Sequence, residues 1–86
     1  MEIRYKKHFE KSFKKLAPKV KEQFYQRLEI FLKDSGNHLL HNHSVDKSFP
    51  ACRSINITGD YRAIFYSEGE SIVFITIGTH AELYGS

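Results

Sequence analysis

The sequence lacks most of what large catalytic folds, disulfide-bonded domains and membrane proteins require. Its 86 residues are too few for a Rossmann or barrel enzyme, which needs several βαβ units. The single cysteine, Cys52, excludes an internal disulfide and predicts a reduced, intracellular protein. The longest apolar-rich run, Ile72 to Ile77, is far shorter than a membrane-spanning helix. We therefore expect one small cytoplasmic domain, residues 1–86, without a signal peptide or membrane association.

Charge is distributed unevenly along the chain. The formal net charge is +3, but residues 1–33 contain ten lysines and arginines against four glutamates, a local balance of +6. Residues 34–86 contain three basic and six acidic side chains, a balance of −3. Such asymmetry is typical of a protein whose basic part binds an anionic partner, most often a nucleic acid. The alternative is a lysine-rich surface that serves only solubility.

Apolar residues recur at strand spacing and then at helix spacing. Ile3 and Tyr5 alternate with charged residues, which predicts a short strand. Phe9, Phe13 and Leu16 lie at i, i+4 and i+7, on one face of a helix. The full prediction is a strand at about residues 2–6, helices at about 7–17 and 18–34, a loop at 35–51, strands at 52–58, 61–67 and 71–77, and a compact tail at 78–86.

This order, β-α-α-β-β-β, predicts an α+β fold. The two helices form an αα-hairpin on one face of a largely antiparallel, four-stranded sheet. If Ile55 and Ile57 point toward the helices, then Ser54, Asn56 and Thr58 point away from them. The second sheet face is then open for a ligand or a partner.

Histidine and arginine are the side chains best suited to chemistry here. His43 and His80 stand in loops beside strands, where a rigid sheet can present a proton-transferring imidazole. Arg62 lies on a strand bounded by aromatic residues. Its guanidinium is either a phosphate-binding fork or the partner of Asp60 or Glu70 in a surface ion pair.

Three histidines in the loop, His38, His41 and His43, have the pattern H-x-x-H-x-H. Imidazole binds zinc, but structural zinc sites usually include thiolates and need four well-placed ligands. We therefore expect no metal site in this loop.

Two segments resemble the RelE/ParE superfamily of bacterial toxins, in particular its YafQ-like branch. They are D-Y-R-A-I-F-Y at residues 60–66 and G-T-H-A-E-L-Y-G at residues 78–85. The resemblance implies a RelE-like fold and a toxin of a type II toxin–antitoxin module, an endoribonuclease that cleaves mRNA on the ribosome without a cofactor. It also implies a cognate antitoxin, bound in a hetero-oligomer.

The resemblance carries over to individual positions. His43 and His80 match catalytic histidines, as base and acid or in the reverse roles, and Asp60 matches an aspartate that orients or tunes a histidine. Arg62 resembles the phosphate-binding arginine, and Tyr84 stands at a functional aromatic position. The expected RNA-binding residues are basic: Lys11, Lys14, Lys15, Lys19, Lys21, Lys47 and Arg53.

The sequence departs from the YafQ-like pattern on the first strand of the meander. There the branch has an aspartate and a histidine, and this chain has Ser54 and Asn56. Two other functions therefore stay open: a ParE-like toxin that poisons DNA gyrase without cleaving RNA, and a non-toxic RNA-binding module.

Overall fold

The protein is described by a computed structural model that covers residues 1–85. The predicted domain and tail both run to Ser86, which lies outside the described residues. The strands are β1 (Glu2–Tyr5), β2 (His43–Ser44), β3 (Arg53–Asn56), β4 (Tyr61–Glu68) and β5 (Ser71–Thr79). The helices are α1 (Lys7–Lys14), α2 (Pro18–Lys33) and α3 (His80–Tyr84), with a 3₁₀ helix at His38–Leu40.

The strands form one sheet in the order β1-β5-β4-β3-β2, and only the β1–β5 pair is parallel. The predicted α+β class is confirmed, but the sheet has five strands rather than four. The additional strand, β2, has two residues and lies in the segment predicted as a loop, which also contains the 3₁₀ helix. Its two residues carry no apolar alternation, so only backbone pairing with β3 reveals it.

The αα-hairpin forms where the sequence predicts it. Pro18 occupies the first turn of α2, and Ala17 before it is extended, with ψ of 147°, as proline requires of the preceding residue. Helix α1 ends at Lys14, three residues before the predicted end near Ala17. Among residues 1–85, no helix has the length and apolar character needed to cross a bilayer.

An aromatic cluster forms the main core, between the helical hairpin and the sheet. Phe74 on β5 is fully buried at its centre. Its ring lies 5.3–5.9 Å from those of Tyr5, Phe9, Phe24 and Phe65, centroid to centroid. Burial, with a smaller contribution from Tyr25, raises the pKa of Tyr5. These contacts hold the hairpin on a single face of the sheet.

Ile55 and Ile57 are also fully buried in this core, as predicted, so the polar residues of β3 face the other side. That second face is less open than expected. Cys52, Ile64 and Val73 on it are all buried.

Part of the second face is covered by the predicted tail, which forms helix α3. This helix packs closely over β5: a Cβ atom added to Gly78 would lie 3.2 Å from Glu82 Oε1 and 3.5 Å from Leu83 Cδ2. Glycine at position 78 therefore permits the helix to approach the strand. The uncovered remainder of this face is a groove.

Candidate active site

The groove has a volume of about 480 Å³ and lies between β2, the segment at residues 44–48 and α3. Five of the predicted site residues line it: His43, Lys47, Arg62, His80 and Tyr84. Lys47 and Arg62 contribute positive charge, and Asp46 is the acidic residue of the lining. The groove thus brings together two imidazoles, a guanidinium and a phenol.

His43, on β2, is oriented by a backbone contact. Its Nδ1 lies 2.7 Å from the carbonyl oxygen of His41. A carbonyl oxygen can only accept a hydrogen bond, so Nδ1 carries the proton and Nε2 is a proton acceptor in the neutral ring. His41 has a φ of 45°, in the left-handed region, and its ring packs 4.6 Å from that of His43. The local fold therefore selects the tautomer of His43.

Strand β2 has only two residues, so backbone pairing alone stabilises it weakly. Arg53, on the other face of the sheet, adds hydrogen bonds next to this strand. Arg53 Nε donates to Asn42 Oδ1 at 2.8 Å, and Nη2 donates to the Asn42 carbonyl at 3.3 Å. Asn42 Nδ2 in turn donates to the Ser35 carbonyl at 2.9 Å. Arg53 alternates with Ser54, so its side chain lies on the face opposite the groove. The structure places Arg53 next to β2 but outside the groove.

His80 and Tyr84 are presented by α3, whose start is fixed by a capping box. Thr79 Oγ1 accepts from the Glu82 backbone N–H at 3.1 Å, and Glu82 Oε1 accepts from the Thr79 backbone N–H at 2.7 Å. The rings of His80 and Tyr84 pack together, 4.7 Å between centroids. The Tyr84 ring also packs against that of Phe49, with 6.1 Å between centroids. One short helix therefore positions two of the predicted site residues.

Substituting Thr79 with alanine is expected to loosen α3. Loss of an N-cap side chain destabilises a helix by about 1 kcal/mol, and a five-residue helix has few other contacts to offset this. We expect faster amide hydrogen exchange in residues 80–84, with the exchange of the sheet amides unchanged. Thr79→Ser, which keeps the cap oxygen, should behave like wild type; equal exchange in both variants would show that the cap does not hold α3.

Arg62, on β4, faces the groove and is anchored by one end only. Its Nη1 donates to the carbonyls of Thr58, Gly59 and Tyr61 at 3.1–3.2 Å. Within residues 1–85 the one ion pair is Arg4 with Glu68, so the ion pair considered for Arg62 does not form. Nε and Nη2 have no hydrogen-bond partner in that part of the chain and are free to bind a planar or tetrahedral anion.

Asp60 contacts the site through its backbone. Its carbonyl accepts from the His80 backbone N–H at 3.1 Å, and its own N–H donates to Thr58 Oγ1 at 3.2 Å. The carboxylate is exposed and does not line the groove. Asp60 therefore helps to place His80 without presenting its side chain to the groove.

The lysines of the hairpin lie away from the groove. Lys11 and Lys14, with Lys21, border a hollow of about 600 Å³ whose walls are aromatic. Lys15 faces a depression between α1 and α3, and Lys19 lies at the start of α2. The structure thus separates a basic helical surface from the groove that carries Lys47.

The loop histidines do not assemble a metal site. In the part of the chain that the structure describes, no three histidine, cysteine, aspartate or glutamate side chains are grouped to hold an ion. Burial raises the pKa of the Cys52 thiol, and the charge of Asp46 raises it further, so this cysteine stays protonated.

Two groove-face residues had no assigned role in the sequence. Ser54 lines the groove and is fully buried, and Asn56 lies two residues further along β3 on the same face. In the sequence, the polar–apolar alternation of S-I-N-I predicts the sheet face on which these two side chains lie. It does not predict a function for them.

Comparison with known proteins identifies the chain. The profile of the family described as "ParE toxin of type II toxin-antitoxin system, parDE" matches residues 3–84. The chain belongs to the ParE toxin family. It is therefore a toxin of the RelE/ParE superfamily, which confirms the resemblance seen in the sequence. A sequence comparison with curated proteins gives no significant match.

Solved structures of other toxins share the fold of this family member. YafQ from E. coli strain BL21(DE3) superposes with a TM-score of 0.80 at 19% identity, covering 98% of each chain. The E. coli DinJ–YafQ toxin–antitoxin complex gives 0.79 at 19%, covering 98% of this chain and 97% of the other. The intact E. coli RelBE complex gives 0.70 at 21%, covering 91% and 94%. At these identities the likeness establishes the fold alone.

Proposed function

We propose that this toxin is a ribosome-dependent mRNA endonuclease. The observation that supports the proposal is the convergence of His43, Arg62 and His80 on one groove, with Tyr84 beside them. Two proton-transferring groups and a free guanidinium edge are what metal-independent cleavage of a phosphodiester requires.

The reaction begins with attack of a 2′-hydroxyl on the adjacent phosphorus. His43 Nε2 takes the hydroxyl proton, and the new bond joins the 2′-oxygen to phosphorus. The bond from phosphorus to the 5′-oxygen breaks, and protonated His80 supplies the proton that the departing oxygen needs. Arg62 neutralises the charge that develops on the phosphorane. The products carry a 2′,3′-cyclic phosphate and a 5′-hydroxyl.

The tautomer of His43 favours this assignment of base and acid over the reverse. Its Nδ1–H is occupied by the His41 carbonyl, so the neutral ring offers an acceptor and not a donor to the substrate. Among residues 1–85, no backbone group bonds to the His80 ring, and its packing against Tyr84 places it beside an aromatic surface. Tyr84 stacks on a nucleotide base, a contact that contributes about 1–3 kcal/mol.

The lysine-rich surface of the helical hairpin binds the ribosome. Lys11, Lys14, Lys15, Lys19 and Lys21, with Lys47 in the groove, contact phosphates of RNA. Arg53 contributes mainly by fastening β2. The partner that silences the toxin is a cognate antitoxin, as in the DinJ–YafQ and RelBE complexes. An acidic segment that folds on contact suits a surface with this excess of lysine.

Replacing Lys14 with glutamine is expected to lower the affinity for the ribosome and to make that affinity less dependent on salt. Each lost phosphate contact lowers the slope of log K against log salt concentration by about 0.7–0.9. Binding of fluorescent toxin to purified ribosomes across a salt series measures both. Lys33→Gln removes the same charge at the other end of the hairpin and serves as control. If the plots of log K against log salt concentration have equal slopes for the two variants, Lys14 does not contact RNA phosphate.

A gyrase-poisoning toxin is the second candidate, because the matching family is named for ParE. Two parallel reactions distinguish the candidates. In one, purified protein is added to a reconstituted translation system and mRNA 5′ ends are mapped; in the other, DNA supercoiling by gyrase is measured in the presence of the protein. We expect cuts in codon register that leave 5′-hydroxyl ends and need ribosomes. Intact mRNA with inhibited supercoiling would replace our proposal with the second candidate, and intact mRNA with normal supercoiling would contradict both.

A further inference from the structure

The groove face of β3 carries an anomaly in its hydrogen bonding. Within residues 1–85, the buried side-chain polar atoms without a hydrogen-bond partner are Ser54 Oγ and Asn56 Oδ1. Buried polar groups in folded proteins are nearly always paired, because leaving one unpaired is destabilising. Two such atoms on one face of one strand, at the groove, need an explanation that folding does not provide.

The pairing register locates these atoms among the proposed catalytic groups. Ser54 lies directly opposite His43 on one side and Ile64 on the other. Asn56 lies opposite Arg62. Directly opposed residues share a face, with Cβ atoms about 4.5–5.5 Å apart, and diagonal neighbours such as Ser54 and Arg62 lie about 7–8 Å apart.

Ser54 and Arg62 line the same groove of about 480 Å³, so a phosphate group bound there would have both side chains as neighbours. Ser54 lines the groove although its hydroxyl is buried, and the lining also includes the long side chain of Lys47, which can move when a ligand enters. Asn56 lies opposite Arg62, yet the Arg62 guanidinium bonds to backbone carbonyls and leaves Asn56 Oδ1 unpaired.

We propose that Ser54 is a substrate-binding residue whose hydroxyl donates to a non-bridging oxygen of the phosphate held by Arg62, while Asn56 Oδ1 accepts from a donor group of the adjacent nucleotide. The proposal rests on the proposed function for the identity of the substrate as RNA. It adds the polar groups of β3 to the site, and it gives a partner to each of the two unpaired atoms.

Substituting Ser54 with alanine tests the proposal because stability and binding should change in opposite directions. Removing an unpaired buried hydroxyl leaves no protein group without its partner, so Tm stays constant or rises by a few degrees. The probe is inorganic phosphate or a 2′-deoxy dinucleotide, and its binding is followed by NMR at the Arg62 side chain. We expect the affinity for this probe and the rate of RNA cleavage each to fall about tenfold. Thr76→Val removes a buried hydroxyl from the same cross-strand row outside the groove and should leave probe affinity unchanged.

The outcomes separate this proposal from the proposed function. The wild-type protein could bind the probe more tightly than Ser54→Ala and yet not cleave RNA. That result would refute the proposed endonuclease and support the contact between Ser54 and phosphate. Equal probe affinity in wild type and Ser54→Ala would overturn the contact, whether or not RNA is cleaved. A lower Tm with unchanged affinity would show that the hydroxyl has a structural role.

Discussion

The variant His80→Ala is expected to lose mRNA cleavage by a factor of about 10²–10⁴ while keeping the wild-type fold. General acid catalysis contributes rate factors of this size. The side chain is exposed at the first position of α3, and its backbone N–H still donates to the Asp60 carbonyl after truncation. Circular dichroism and thermal unfolding should therefore match wild type, and cleavage in the reconstituted translation system should be nearly absent.

A matched control is His8→Ala, an exposed histidine on α1 outside the groove. It should cleave at the wild-type rate. Substrates with a better leaving group at the 5′-oxygen provide a sharper test, because they need no acid. Partial recovery of the His80→Ala rate on a 5′-thio substrate would support the acid assignment. Wild-type toxicity of His80→Ala in cells would rule it out.

The variant Arg62→Lys is expected to cleave about 10²-fold more slowly although its charge is unchanged. Lysine supplies a point charge, whereas the guanidinium uses Nη1 to hold three carbonyls and keeps Nε and Nη2 for the phosphate. Losing a donor that acts on the developing charge typically costs a factor of 10²–10³ in kcat. KM should change only a few-fold, because the attraction between opposite charges remains.

The same substitution at Arg4, Arg4→Lys, keeps the charge at an exposed ion pair and should leave kcat unaltered. Loss of the carbonyl contacts in Arg62→Lys lowers the free energy of unfolding by about 1 kcal/mol, which urea denaturation will detect without unfolding at working conditions. A lysine variant with wild-type kcat would show that charge alone is sufficient at position 62.

The main elements of the fold are predictable from sequence because each has a strong local signal. The helical stripe around Phe9 and Phe13, the Ala17–Pro18 break and the alternation of β3 all lead to the observed elements. Strand β2 lacks such a signal and depends on pairing with β3. Helix α3 has the local pattern of a capping box, Thr79 followed three residues later by Glu82, but its packing over Gly78 is a tertiary contact that the pattern does not specify.

The site shows the same division. His43, Arg62 and His80 line one groove, since strand ends and loops at one edge of a sheet are neighbours in space. The side chains of Asp60 and Arg53 do not line this groove. A tight turn directs the Asp60 carboxylate to solvent, and strand parity puts Arg53 on the helix-covered face, where it fastens β2. Side-chain direction at a turn cannot be deduced from residue type.

The parallel pairing of β1 with β5 delays folding during synthesis. Glu2 Oε1 accepts from the Ser71 hydroxyl, 69 residues later in the chain, and Phe74, at the centre of the aromatic core, is made later still. The hairpin ends at Lys33, 41 residues before Phe74, so at about 5–20 residues per second it waits roughly 2–8 s for the strand that covers its aromatic face. Until then His80 and α3 have not been synthesised either, so the nascent chain lacks one of the two imidazoles that line the groove.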